Sequence, residues 1–191
     1  MRILLKDVRL AFPNLFKATA PAGGGEAAFS ASFLFPPTHP QVKELRAAIA
    51  AVAKEKWGVK ADAILKALQA QDKTALHNGD AKSEYEGFEG NLFISARAKV
   101  RPTAYDGQRN EISEQDGLLL SGYYVNASIE IWAQENQYGK RVNAQLRGVQ
   151  HLRKGEVFSG GGSPAGADEF DEISAEGTEG SDTPSDADLT A

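Results

Sequence analysis

Apolar residues recur along this chain with two different periods, and the changes between them divide it into elements. Residues 3 to 16, Ile-Leu-Leu-Lys-Asp-Val-Arg-Leu-Ala-Phe-Pro-Asn-Leu-Phe, read as a strand that Pro13 ends. After the loop Pro21-Ala-Gly-Gly-Gly-Glu26, the run from Ala28 to Phe35 is closed by Pro36-Pro37 and reads as a second strand paired to the first. From about Pro40 to Lys56 the spacing lengthens: Val42, Leu45, Ile49 and Val52 fall on one side of an amphipathic helix, which Gly58 stops. A shorter helix, Ala61 to Gln71, gathers Ile64, Leu65 and Leu68, and Trp57 at the junction is expected to anchor the core. Beyond a polar loop, His77 to Glu84, the chain returns to period two through Leu92–Arg101, Gly122–Gln134 and Lys140–Leu152. Strands, two central helices, then strands describe a mainly β fold with a helical insertion, an OB-fold-like β-barrel.

Charge divides the chain differently. Positions 159 to 191 hold nine Asp or Glu and no Lys or Arg, so a body over 1–158 of net charge +4 is tethered to an arm of −9, and the two make the overall −5. The arm opens on Ser-Gly-Gly-Gly-Ser-Pro, and Phe170, Ile173 and Leu189 are its large apolar side chains. Such a segment buries too little to offset an ordering cost of about 1–2 kcal/mol per residue, so it is expected to be a disordered tail. A basic body beside an acidic arm points toward nucleic acid, with the arm competing for the same surface or docking on another protein. The chain has no cysteine, which excludes disulfides, thiolate metal sites and a cysteine nucleophile. No apolar stretch is long enough to cross a bilayer and the first residues do not form a signal peptide, so a cytoplasmic protein without a membrane partner is expected.

Alternation then selects candidate residues. Along Leu92–Arg101 the even positions Leu92, Ile94, Ala96, Ala98 and Val100 are apolar, and the odd positions are Phe93, Ser95, Arg97, Lys99 and Arg101. One face of that strand packs inward while the other offers three cations beside an aromatic ring, about 7 Å apart and close to the phosphate spacing of an extended single strand. In the next strand Tyr123, Val125, Ala127, Ile129, Ile131 and Ala133 form the inward set. That leaves Tyr124 and Trp132 outward, either to stack on bases or to be covered by a loop, the tail or a partner subunit. In the third, Arg141, Asn143, Gln145 and Arg147 share a side suited to phosphate and amide contacts. Tyr105, in a loop with Arg109, is a further stacking candidate. Catalysis has little support. His39, His77 and His151 lack metal-ligand spacing, Gly23-Gly24-Gly25 has no following lysine, and Glu84, Glu86 and Glu89 suit a solvated loop better than a two-metal nuclease. No cofactor is implied.

Several ordered blocks resemble a known family. Val8-Arg-Leu-Ala-Phe-Pro-Asn-Leu-Phe16, Ser30-Ala-Ser-Phe-Leu34, Gly79-Asp80, Gly90-Asn-Leu-Phe-Ile-Ser-Ala96, Arg101-Pro102, Gly122-Tyr-Tyr-Val-Asn-Ala-Ser128 and Gly148-Val-Gln-His-Leu-Arg-Lys-Gly155 are similar to a bacteriophage family first catalogued as a domain of unknown function. Its characterised members are single-stranded DNA-binding proteins with an OB-fold. The resemblance implies a protein that coats single strands during phage DNA replication and recombination. It also implies an acidic C-terminal arm that recruits replication or recombination proteins, here through Asp168, Glu169, Phe170, Asp171, Asp186, Asp188 and Leu189. The competing reading is a protein-interaction module of phage DNA metabolism whose tail mimics DNA; a metal-dependent nuclease ranks third.

Overall fold

The computed structural model describes residues 1–21 and 23–159. Its strands are β1 (Arg2–Thr19), β2 (Ala28–Phe35), β3 (Leu76–Asn78), β4 (Leu92–Ala98), β5 (Thr103–Tyr105), β6 (Tyr124–Asn136) and β7 (Gly139–Arg153), with helices α1 (Val42–Trp57) and α2 (Ala61–Ala70) between β2 and β3. They form one sheet in the order β3-β4-β2-β1-β6-β7-β5, and a parallel bridge of β4 to β7 closes five of the strands into a barrel. The closed cycle β1-β2-β4-β7-β6 has the strand order of an OB-fold, as the alternating pattern led one to expect.

The first strand serves both sides of the barrel. Its first half pairs with β6 and its second half with β2, and Arg9 sits at the changeover, opposite both Tyr124 and Leu34. Pro13 does not end this strand. The register shifts between Ala11 and Asn14, Phe12 takes a φ of +48°, and the proline occupies an irregularity where the ladder asks for no amide hydrogen. Two other boundaries also move. His77 and Asn78 lie in β3 rather than a loop, paired to Phe93 and Leu92. β4 stops at Ala98, because neither β2 nor β7 continues alongside it, so Val100 is 78% exposed and the inward face expected to reach it ends two residues earlier.

Inward-facing Leu5, Val8, Leu10, Phe33, Ile94, Val125, Ile129, Ile131 and Leu146 are almost wholly buried. The helices add Leu45, Ile49, Val52, Leu65 and Leu68 to this interior, and α1 packs on β6. Trp57 lies half-buried against the same core and donates from Nε1 to Glu135 Oε2 at 2.9 Å. A second, smaller cluster of Ala11, Leu34, Phe88, Phe93 and Phe158 forms on the outer side of β1, β2 and β4. The chain after β7 supplies Phe158, whose amide donates to Ser121 O at 3.2 Å. Among the described residues, no helix is long and apolar enough to cross a membrane.

Candidate nucleic-acid interface

β4 and β7 are bridged through only two residue pairs, Ala96 with Ala144 and Arg97 with Gln145, and beyond the bridge they part. The opening is a groove of about 720 Å³ between the β1–β2 loop, the end of β4, and the β6–β7 hairpin. Arg97 and Lys99 project from one wall, and Trp132, Gln134, Arg141 and Asn143 from the other. Trp132 is 41% exposed, a large apolar ring left open to solvent beside three cations. Asn143 Nδ2 donates to Gln134 Oε1 at 2.9 Å, which sets the two amide side chains across the hairpin. Lys99 Nζ lies 2.7 Å from Glu26 of the β1–β2 loop, with both side chains exposed, so this cation is partly answered already. Arg97 and Arg141 are exposed and make no ion pair among the described residues. At the base of the hairpin, Lys140 pairs with Glu135 at 2.6 Å. The hydrogen bond from Lys140, with a smaller one from Trp57, holds the Glu135 carboxyl below the usual glutamate range.

Of the nine candidate residues in the body, eight chosen by alternation and Tyr105 by its place in a loop, the groove therefore brings together Arg97, Lys99, Trp132 and Arg141. Phe93 requires correction. It does lie on the outer face of β4, but it is only 3% exposed and offers no open stacking surface. Phe88 meets it edge-on at 5.1 Å, the His77 ring stacks on it at 4.9 Å, and Lys82 Nζ sits 5.1 Å from its centre. The covering groups come from β3 and the 79–90 connection, which strand parity alone does not see. Arg101 lies past the end of β4 with its guanidinium 5.4 Å from the Phe16 ring. Tyr124 faces outward at the far end of β6, half-buried under Arg153 at 3.8 Å and Arg9 at 5.5 Å. Arg147, midway along β7, pairs with Glu130 at 3.3 Å, and Tyr105 lines a different cleft.

Reasoning from sequence missed His77 and the β1–β2 loop as groove walls. His77 donates from Nδ1 to Asp72 Oδ1, 2.7 Å away, and reaches the groove because β3 pairs with β4. The three-glycine run between two strands was the available signal for the loop, since small residues let a ligand approach the backbone. The carboxylates weighed for a nuclease are not grouped as a metal site. Glu86 accepts from Ser159 Oγ and N at 2.5 and 2.7 Å, and those bonds hold its carboxyl below the usual range. Among the described residues, no three His, Asp or Glu converge to hold a metal ion. Asp168, Glu169, Phe170, Asp171, Asp186, Asp188 and Leu189 lie outside the described residues.

Comparison with known proteins gives a consistent result. The family model described as "Enterobacter phage Enc34, ssDNA-binding protein" matches residues 1–181. A protein of Acyrthosiphon pisum secondary endosymbiont phage 1, "Putative protein p50", is 42% identical over 177 residues, which cover 91% of this chain and 95% of that one. The solved structure of the single-stranded DNA-binding protein from bacteriophage Enc34 in complex with ssDNA is 30% identical, with a TM-score of 0.70 over 83% of this chain and 89% of that one. The crystal structure of gp2.5, a single-stranded DNA-binding protein encoded by bacteriophage T7, shares the fold at 12% identity, with a TM-score of 0.56 over 95% of this chain and 99% of that one.

Proposed function

Since the chain belongs to the family of the Enterobacter phage Enc34 single-stranded DNA-binding protein, we propose that it binds single-stranded DNA in the groove between β4 and the β6–β7 hairpin. The observation that carries this reading is the meeting of two arginines, Arg97 and Arg141, exposed and without an ion pair among the described residues, with the exposed Trp132 ring in one opening. Guanidinium groups neutralise phosphates and hydrogen-bond to them in a planar fork. An aromatic face stacks on any base, at about 1–3 kcal/mol each, so the pairing suits binding without sequence preference. The place in the fold agrees with this chemistry: OB-folds take oligonucleotides on their second and third strands, between the loops joining strands one to two and four to five. Here those loops are 20–27, which brings Gly24, Gly25 and Glu26 to the groove, and the turn around Tyr138, whose ring is 82% exposed.

Protection of single strands during phage DNA replication and recombination, inside the host cell, is the role this chemistry serves, and it needs no catalysis. The nine carboxylates of 159–191 follow directly on a body of opposite sign, and we assign them competition with DNA and recruitment of replication or recombination proteins. Fluorescence anisotropy with a labelled oligonucleotide, single-stranded and duplexed, across a salt series tests the reading. Single strands should bind more tightly than duplex at every salt, with affinity falling as salt rises. Equal affinity for the two forms would overturn it.

A further inference from the structure

On the other half of the same hairpin lies a second cleft of about 680 Å³, sharing no residue with the groove. Its floor is low because the facing pair Ser128 and Gly148 carry almost no side chain. Gly148 is required there: a Cβ would collide with Thr103, whose strand β5 runs parallel to β7 against it. That close approach sets Tyr105 beside the floor, level with Gln150. The loop that follows is tied by Asp106, whose carboxylate accepts from the amides of Gln108 and Asn110 and from Asn110 Nδ2, each at 2.8 Å. Those bonds, that from the Asn110 side chain foremost, hold the Asp106 carboxyl below its usual range and fix Arg109 at the cleft edge. Asn126 Nδ2 donates to Gln150 Oε1 at 3.2 Å, so the cleft also presents amides at a defined position.

The two openings are joined by one polar face. Outward positions on β6 run Gln134, Trp132, Glu130, Ser128, Asn126, and the ion pair Arg147–Glu130 is the only charge between the openings on this hairpin. From Trp132 to Asn126 is about 20 Å at strand rise, or about three nucleotides of an extended strand. We propose that DNA held in the groove continues along the outer face of the β6–β7 hairpin into this second cleft, where Tyr105 stacks on a base and Arg109 meets a phosphate. Passing over the hairpin, a phosphate takes the place of Glu130 at Arg147. The chemistry is that of a nucleotide site: one ring, one guanidinium, neutral amide donors and acceptors, and no carboxylate in the lining.

This extension rests on the groove reading, and oligonucleotide length separates the two. Oligothymidines of about four nucleotides fill the groove alone, whereas those of about twelve reach the second cleft. With Tyr105→Ala and Arg109→Gln together, affinity for the short oligomer should be unchanged and that for the long one should fall about ten- to one-hundredfold. Glu130→Gln, which removes the like charge from the path and keeps the hydrogen-bonding group, should tighten the long oligomer and leave the short one alone. An oligomer carrying 5-iodouracil at successive positions should crosslink to Tyr105 only from one end of the long strand. Equal losses at both lengths, or no loss at either, would overturn the continued path. If instead Arg97→Gln with Arg141→Gln leaves both lengths unaffected, the groove itself is wrong and the path falls with it.

Discussion

Replacing Arg97 and Arg141 by glutamine keeps the polarity and most of the volume of each side chain and removes two charges from the groove. Both side chains are exposed and make no ion pair among the described residues, so their loss strands no partner and should leave stability within about 0.5 kcal/mol. Each phosphate contact to a single strand contributes about 0.7 to the slope of log affinity against log salt, and two contacts give about 1.4. If these contacts contribute nothing at 1 M salt, they contribute a factor of about 25 at 0.1 M, or about 1.9 kcal/mol. Lys99 should matter less, because DNA must displace Glu26, 2.7 Å away, before meeting it. Anisotropy titrations of oligothymidine from low to high salt measure both quantities, with Arg46→Gln plus Lys66→Gln, exposed cations on the helices, as the matched control. The double groove variant should bind with a slope shallower by about 1.4 and converge on the parent at high salt. A parallel drop at every salt, with the slope intact, would show that the arginines do not meet phosphates.

Other outcomes follow from the same geometry. Trp132→Phe should abolish most of the quenching of tryptophan emission on DNA addition, since Trp57 is engaged with Glu135 beside the helices; undiminished quenching would place the stacked ring elsewhere. Phe93→Ala should cost about 3–5 kcal/mol of folding stability by emptying the outer aromatic cluster, whereas Phe93→Leu should bind DNA like the parent in an anisotropy titration. Gly79→Ala should cost about 1–3 kcal/mol or more of folding stability, seen as a lower midpoint of thermal unfolding, because a Cβ there runs into the carbonyl oxygens of Phe88 and Asn91. The clamp of Ser159 on Glu86 depresses that carboxyl, so the contact is complete above the ordinary glutamate value and is lost as pH falls through the lower native one. The protection factor of the Ser159 amide, its exchange rate compared with the intrinsic rate at each pH, should therefore fall on acidification, and Glu86→Gln should remove that fall.

Which side of a strand each residue takes is a local property, repeating every second position, and the amino-acid order alone settled it: Ile94 inward and Arg97 outward, Ile131 inward and Trp132 outward, Val142 inward and Arg141 outward. The same short-range rules located both helices and the OB-like architecture. Tertiary structure decided what comes to rest on each outward face, because the covering groups are distant in sequence. Phe93 and Trp132 are equivalent by parity, yet the first lies beneath Phe88 and His77 while the second stands open in a groove. Where β4 loses its neighbours is likewise non-local, and that loss separates Arg101 from the alternating series while the parting of β4 from β7 makes the groove. Alternation thus chose the residues able to meet a polynucleotide, and strand pairing across the closed barrel determined which of them stand together.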